Sequence, residues 1–129
     1  MYSHNMIGTN DIAKSKDFYD AVFGAIGGPQ GVTDPKGRVI YAFRDSLFMI
    51  TQPIDGQPAT VANGNTIGFQ MDSTDECDVW HTAGTQAGGT AIENPPGIRE
   101  TNGRKIYLAY LRDPDGHKLC ALHFPKEGE

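Results

Sequence analysis

The stretch Lys105–Phe124, KIYLAYLRDPDGHKLCALHF, decides the fold of this chain of 129 residues. Two runs typical of β-strands flank the tetrapeptide Asp113-Pro114-Asp115-Gly116. Pro114 presets φ, the aspartates can accept hydrogen bonds from nearby backbone, and Gly116 tolerates a positive φ. The stretch therefore predicts a β-hairpin with its turn at the surface.

Composition predicts one folded domain and excludes several classes of partner. The chain is 38% hydrophobic and 21% charged, and its net charge is −5. An acidic chain without a basic stripe is a poor candidate for binding nucleic acid. No apolar run approaches the roughly 20 residues of a membrane span, and no secretion signal is recognisable. Cys77 and Cys120 form no CxxC pair, so we expect reduced thiols in a cytoplasmic protein.

The first half, residues 1–52, predicts one strand, one helix and then three strands. Helical spacing of apolar residues and strand-like runs give this order. The predicted elements are a strand at Ser3–Gly8, a helix at Asp11–Phe23 capped by Asn10, and strands near Val32, at Arg38–Phe43 and at Leu47–Gln52.

The second half, residues 66–124, repeats this order after a linker at residues 53–65. The strand Thr66–Asp72 alternates, so Ile67, Phe69 and Met71 are expected to face the helices. Ser73 and Glu76 predict a capping box, and the helix behind them ends at Gly88-Gly89. A short strand at Ala91–Glu93, a loop through Arg99 and Glu100, and the hairpin follow.

The repeated order predicts an α+β fold of two tandem β-α-β-β-β modules within a single domain, residues 1–129. We expect the modules to form a curved sheet, with the helices on its outer face and a cleft on its concave face. A plain α+β domain with two helices on one sheet is the alternative.

Three stretches resemble the vicinal-oxygen-chelate superfamily, which includes glyoxalase I, bleomycin-resistance proteins and extradiol dioxygenases. They are MYSHNMIGTNDIAKSKDFYDAVFG with its S-x-x-F-Y element, NTIGFQMDSTDECDVWHTAGTQAGG, and LAYLRDPDGHKLCAL. The resemblance covers most of the chain and implies a small-molecule ligand and a homodimer. It does not imply one reaction, because this fold hosts several chemistries and pure binders.

The resemblance also implies four metal-ligand positions, usually His or Gln, Glu, His and Glu. The matching positions here are His4, Met49 or Ile50, Thr66 and Cys120. Only His4 is a standard ligand for a hard divalent ion. We therefore expect no metal cofactor, and a non-standard metal site that includes His4 is the alternative.

The other histidines are not expected to complete such a site. His81 is predicted at the solvent edge of the second helix, and His117 at an exposed turn. His123 lies an odd number of residues from Cys120, which places it on the opposite face of the strand.

Pairing Arg112 with His117 across the turn predicts that Tyr107, Ala109, Cys120 and Leu122 share the cleft face. The expected ligand-binding side chains are His4, Thr66, Gln70, Tyr107 and Cys120, in a mainly apolar cleft. Tyr107 is equally a candidate core aromatic, and Cys120 is expected to pack rather than to act as a nucleophile. The sequence identifies no catalytic residue.

Three functions fit these expectations. The first is a small-molecule binder or metal-independent enzyme. The second is a metal-dependent lyase, isomerase or dioxygenase with an unusual ligand set around His4. The third is a drug-sequestering protein of the bleomycin-resistance type.

Overall fold

Each half of the chain folds into one helix packed against one sheet, in the computed structural model that describes residues 1–129. The first module contains β1 (Asn5–Gly8), α1 (Ile12–Gly24), β2 (Val32–Thr33), β3 (Val39–Phe43) and β4 (Ser46–Thr51). The second module contains β5 (Ile67–Gln70), α2 (Thr74–Gln86), β6 (Thr90–Ala91), β7 (Gly97–Thr101), β8 (Arg104–Arg112) and β9 (Lys118–His123). Neither helix has the length and apolar character that a membrane span requires.

The two sheets have the same topology. The order is β1-β4-β3-β2 in the first and β5-β9-β8-β6 in the second, where β7 also pairs with β8. In each sheet the first strand lies parallel to the last strand, and the other pairs are antiparallel. The predicted α+β class is confirmed, but the strands form two sheets rather than one continuous sheet.

Strand β7 was missed, because residues 97–101 were assigned to a loop. The strand contains Arg99 and Glu100 and joins β8 through the two-residue turn Asn102-Gly103, at φ 54° and 76°. Asn-Gly is the strongest short signal for a tight hairpin, so the sequence did contain the information.

The helix starts are fixed by side-chain caps. Ser73 caps α2 by accepting a hydrogen bond from the Glu76 N–H at 3.1 Å, which confirms the Ser73 end of the predicted capping box. The prediction that Asn10 caps α1 was wrong, because Asp11 is the cap. The Asn10 amide instead makes two hydrogen bonds to the backbone of Ala59 in the linker, at 3.1 and 2.7 Å.

One hydrophobic core joins the two modules. It contains Phe18 and Val22 of α1 and Trp80 of α2, together with the helix-facing residues of both sheets. The helices approach closely at Gly84, where a Cβ atom would lie 2.5 Å from the Leu111 side chain and 3.3 Å from that of Val22. The predicted helix-facing set, Ile67, Phe69 and Met71, packs in this core.

The register of the β8–β9 hairpin differs from the prediction by one residue. Arg112 pairs with Lys118 rather than His117, so the loop has five residues, 113–117. The Asp113 carboxylate stabilises this loop, because Oδ1 accepts hydrogen bonds from the backbone N–H groups of Asp115, Gly116 and His117 at 3.0, 2.9 and 2.9 Å. A one-residue slip moves side chains to the other face of a strand.

The 113–117 loop packs against the first module and is not a surface turn. Only 3% of Asp113 and 9% of His117 is exposed. Asp115 accepts hydrogen bonds from the Thr9 hydroxyl at 2.6 Å and the Asn10 N–H at 3.0 Å. The Tyr19 hydroxyl donates to Asp113 Oδ2 at 2.6 Å. The predicted exposure of His117 was therefore wrong, and the turn, whose three central residues are half-buried, is packed against the first module rather than free at the surface.

A reciprocal contact joins the turn of the first module to the second. Arg44 lies in the β3–β4 turn and donates to both carboxylate oxygens of Glu76 at 2.9 and 2.6 Å. Arg44 also lies 3.5 Å from the Gln70 carbonyl, at the end of β5, and His117 Nε2 lies 2.7 Å from the Gly8 carbonyl, at the end of β1. The hairpin of each module thus binds the end of the first strand of the other.

Candidate functional site

The predicted ligand-binding side chains do not form one cluster: Thr66, Gln70 and Cys120 belong to the paired strands β5 and β9, whereas His4 precedes β1 in the other sheet and Tyr107 lies on the opposite sheet face. His4 is exposed before β1, with Nδ1 2.8 Å from the Ser3 hydroxyl. Thr66 and Gln70 are exposed at the two ends of β5, and Cys120 is buried in β9. The structure does not bring His4 together with the others, and ligand binding by these residues stays a prediction.

Tyr107 lies on the face of its sheet opposite Cys120, which corrects the predicted cleft face. Tyr107 pairs with His123, whereas Tyr110 pairs with Cys120. The Tyr107 hydroxyl donates to Asp78 Oδ1 of α2 at 2.6 Å. Burial and this carboxylate raise the pKa of Tyr107 to about 12. Ala109 is likewise buried in the core on the helix side, so neither residue faces a cleft.

Three histidines have structural partners. His117 contacts the Gly8 carbonyl, His123 Nδ1 lies 3.0 Å from the Met71 carbonyl, and His81 Nε2 lies 3.0 Å from the Tyr110 carbonyl. His123 lies on the predicted face, opposite Cys120. His81 is half-buried rather than at the solvent edge.

The family-like metal positions do not supply the donors that a hard divalent ion needs. Met49, rather than Ile50, occupies the position where a carboxylate ligand is expected in the first module. Met49 pairs with Met6 outside the core, whereas Ile50 is fully buried in the core. Met49 and Cys120 offer sulfur atoms, and Thr66 offers a hydroxyl. No three His, Cys, Asp or Glu side chains are placed to hold a metal ion together. These residues therefore do not fit the usual centre.

Cys120 lies against β5 beside Gly68. The two residues pair, and a Cβ on Gly68 would lie 3.3 Å from Cys120 Sγ. Burial raises the pKa of the Cys120 thiol to about 11. A thiol with this pKa is almost entirely protonated near neutral pH and is a poor nucleophile.

A cavity of about 580 Å³ lies at the seam between the modules, and we call it the aromatic cavity. Five aromatic rings line it, with apolar and polar residues around them. The lining consists of Phe23, Ile26, Tyr41, Phe43, Arg44, Asp45, Ser46, Phe48, Gly68, Phe69, Gln70 and Asp72. A cavity of this volume with apolar walls and a polar rim is typical of small-molecule sites.

The rings of the aromatic cavity are held by one another and by the core. Phe69 of β5 lies 5.5 Å from both Phe23 and Phe48, measured between ring centroids. Phe23 and Phe48 are buried, whereas Phe43 and Phe69 are half-buried. The walls are therefore rigid core residues, and the partly exposed rings form the side open to solvent.

The polar rim of the aromatic cavity contains both neutralised and free groups. The Arg44 guanidinium lies 4.8 Å from the Phe43 ring centroid and is paired with Glu76. Its hydrogen bonds hold the pKa of the Glu76 carboxyl below its ordinary value. The side chains of Asp45, Ser46 and Gln70 line the cavity without a hydrogen bond to the protein. They are available to donate to, or accept from, a ligand.

A second cavity of about 570 Å³, which we call the linker cavity, lies at the other end of β5. Val61 to Thr66, Arg112, Gly116 and Lys118 line it. Thr66 therefore lies at the linker cavity and Gln70 at the aromatic cavity, about 13 Å apart along the strand.

The sequence interpretation missed most of the aromatic cavity. Phe69 was assigned correctly to the helix side, and Phe43 and Phe48 lay in predicted strands. The missing information was that β4 and β5 approach each other across the module seam. The sequence pattern within each half predicts strands, but it does not predict that strands from different modules lie close together.

Comparison with known proteins identifies the family. A family model described as the glyoxalase/bleomycin resistance protein/dioxygenase superfamily matches residues 2–121. Among solved structures, the chain is similar to a glyoxalase/bleomycin resistance protein from Albidiferax ferrireducens T118, with 52% identity, a TM-score of 0.90, and coverage of 97% of this chain and 99% of that one. No curated protein matches.

Two more distant structures share the fold. One is a glyoxalase/bleomycin resistance protein/dioxygenase family enzyme from Burkholderia phytofirmans PsJN, with 21% identity, a TM-score of 0.72 and coverage of 95% and 98%. The other is a fosfomycin resistance protein from Mesorhizobium loti, with 18% identity, a TM-score of 0.66 and coverage of 95% and 91%. The chain belongs to the glyoxalase/bleomycin resistance protein/dioxygenase superfamily.

Proposed function

We propose that this protein binds a small molecule whose apolar part occupies the aromatic cavity, without the usual four-ligand metal centre. The observation that carries the proposal is the cavity itself, about 580 Å³ and lined by five aromatic rings. The faces and edges of these rings favour an apolar group, either a planar group of a few rings or an aliphatic chain of a few carbons. Ser46 and Gln70 supply hydrogen bonds that would orient it.

The proposal that no metal is used rests on the donor set. Met49 and Cys120 stand where a hard ion needs carboxylates, and Thr66 stands where an imidazole is expected. The chain's own contribution is then to exclude water from an apolar group and to position its polar end. An enzymatic role would need a catalytic group at the rim, and Asp45 is the free carboxylate that lines the cavity there.

Two matched variants on β4 test this proposal. Ser46 lines the aromatic cavity, and its neighbour Leu47 is exposed and absent from the lining. Ser46→Trp should fill the cavity, whereas Leu47→Trp adds the same ring on the other face of the strand. Binding of a neutral fluoroaromatic probe, 4-fluorophenol, can be followed by ligand-observed fluorine NMR.

We expect Ser46→Trp to weaken 4-fluorophenol binding by about tenfold or more, because an occupied cavity loses most of the apolar burial. Leu47→Trp should leave it unchanged. Equal binding by both variants and the parent would contradict the assignment of the site. Thermal melts of each variant confirm that the comparison is made on folded protein.

A drug-sequestering role is the second candidate, because Asp45 and Asp72 line the aromatic cavity of a chain with net charge −5, and the one lining cation, Arg44, is already paired with Asp72 and Glu76. Such a rim favours a cationic ligand. Titration with a cationic glycopeptide drug such as bleomycin should give binding that Ser46→Trp abolishes. Absence of binding at low salt would exclude this role.

We also propose a homodimer, which superfamily members often form. Met6 and Leu47 are exposed apolar side chains on the face of the first sheet away from α1. Sedimentation velocity over a concentration series tests the oligomeric state directly, and a monomer at all concentrations would contradict it.

A further inference from the structure

The linker cavity differs from the aromatic cavity in its charge. Its two charged lining residues, Arg112 and Lys118, are both cations, and no Asp or Glu side chain lines it. In a chain with net charge −5, a concave surface whose charged lining residues are all cations is unusual. The local field at this cavity therefore favours an anion, opposite in sign to the protein as a whole.

Arg112 is the main source of this positive field. It ends β8, it is exposed, and its one side-chain hydrogen bond runs from Nη1 to the Gly116 carbonyl at 2.7 Å. A guanidinium has five N–H donors in a planar fork, so most of them are free. That fork matches the geometry of carboxylate and phosphate oxygens.

Lys118 is already held in place beside it. Its ammonium forms an ion pair with Glu93 and lies 4.9 Å from the centroid of the Tyr110 ring. Glu93 neutralises one of the two cations, so the cavity retains about one uncompensated positive charge. Lys118 itself is a lining residue of the cavity.

The linker and the start of β5 supply neutral donors beside these cations. A turn closes from the Asn65 N–H to the Ala62 carbonyl at 3.2 Å, with Gly64 at φ 94°. The side chains of Asn63, Asn65 and Thr66 line the cavity and make no hydrogen bond to the protein. Amide and hydroxyl groups of this kind commonly complete the coordination of an oxyanion.

We infer that the linker cavity is a binding site for an oxyanion, either a phosphate or a carboxylate group. Arg112 binds the oxygens through its free fork, and the Asn63, Asn65 and Thr66 side chains of the same cavity donate further hydrogen bonds. The site is separate from the aromatic cavity and does not depend on the proposed function. The oxyanion comes either from a free ion or from the acidic end of a molecule whose apolar part reaches the aromatic cavity.

Two arginines of β8 provide the test. Arg112→Gln removes the free fork, and Arg104→Gln removes an exposed arginine at the other end of the same strand. Arg104 lies 4.2 Å from the Phe124 ring centroid and lines neither cavity. Both variants lower the net charge equally, so general electrostatics is matched.

Inorganic phosphate is titrated at constant ionic strength to about 10 mM, a range that detects binding in the millimolar regime. Amide resonances of residues 63–66 and Gly116 should shift and saturate. Arg112→Gln should weaken this binding by about tenfold or more, and Arg104→Gln should leave it unchanged. Absence of saturable shifts, or an equal loss in both variants, would overturn the proposal.

Acetate and octanoate then distinguish the two sources of the anion. If octanoate binds more tightly than acetate and Ser46→Trp removes that advantage, the oxyanion is the head of an apolar ligand. If the two carboxylates bind equally, the site takes a free anion. Both results support an oxyanion site, whereas failure of both carboxylates to displace phosphate would overturn the inference that the site takes carboxylates.

Discussion

Replacing Asp113 by alanine should be among the most destabilising single changes in this protein. Its carboxylate is almost fully buried and accepts four hydrogen bonds, from three backbone N–H groups and the Tyr19 hydroxyl. Alanine leaves all four donors without this acceptor. Because Tyr19 belongs to α1 and Asp113 to the β8–β9 loop, the change also removes a contact between the modules.

The size of this loss in stability depends on which of the four donors can form a hydrogen bond with another acceptor. The Gly116 N–H keeps a bond to the Asp113 backbone carbonyl at 2.9 Å, and the half-buried Asp115 N–H can reach water. The Tyr19 hydroxyl and the His117 N–H are buried and remain unpaired. At about 1.5–3 kcal/mol for each of these two bonds to a charged acceptor, the free energy of unfolding should fall by about 3–6 kcal/mol.

Urea denaturation followed by circular dichroism measures this loss. Asp115→Ala, which removes two partly exposed inter-module bonds, should cost about 1–2 kcal/mol. Asp17→Ala, at an exposed position of α1 without a hydrogen bond, should lie within about 0.5 kcal/mol of the parent. If Asp113→Ala costs no more than Asp17→Ala, the loop does not hold the modules together in the way described.

Three further predictions concern charge, thiols and the corrected strand face. Arg44 lowers the pKa of Glu76 in the folded state, so the stability that ionised Glu76 contributes is present above its unfolded pKa and is lost as the pH falls through its folded pKa. Glu76→Gln should therefore reduce the loss of unfolding free energy between about pH 5 and pH 3 by on the order of 1 kcal/mol. The same loss of stability with acid in the variant and the parent would contradict this. Burial raises the pKa of the Cys77 thiol to about 12 and that of the Cys120 thiol to about 11. Iodoacetamide at pH 8 should therefore label neither thiol in the folded protein and both thiols in urea. Rapid labelling of Cys120 in the folded protein would instead show an activated thiol. Tyr107→Phe should cost about 1 kcal/mol of stability and leave 4-fluorophenol binding unchanged, and a loss of binding would return Tyr107 to the site.

The helices and most strands could be predicted because their signals are local. The Ser73 cap and the alternation of Ile67, Phe69 and Met71 depend only on neighbouring residues, and both are present in the structure. The choice of Asn10 over Asp11 as the cap of α1 failed because both residues are good caps. Only the linker contact of Asn10 with Ala59 separates them.

The candidate site could not be predicted to the same depth, because it depends on register and on contacts between modules. The Asp113 carboxylate lengthens the hairpin loop by one residue, and this alone removes Tyr107 and Ala109 from the face of Cys120. A turn motif indicates that a hairpin forms, but it does not fix which residues pair. The aromatic cavity likewise arises where β4 and β5 meet, which no segment of sequence encodes by itself.

The D-P-D-G motif thus has a different role from the one its position suggests. Sequence alone indicates a surface turn that delivers Cys120 to a cleft. In the structure the two ends of the turn, Asp113 and His117, are buried, Asp113 and Asp115 bind the first module, and the thiol lies beside Gly68 with a raised pKa. The motif therefore contributes to the fold by making the contacts that hold the two modules together.

The most direct test of the central claim is chemical-shift mapping of a bound apolar molecule on the intact protein. Titration with 4-fluorophenol should shift the amide resonances of Ser46, Gly68, Phe69 and Gln70, at the seam between the modules, and leave those around Tyr107 in place. Saturable shifts confined to that seam are the predicted result. Shifts centred on His4, or spread over the exposed face without saturation, would contradict binding in the aromatic cavity.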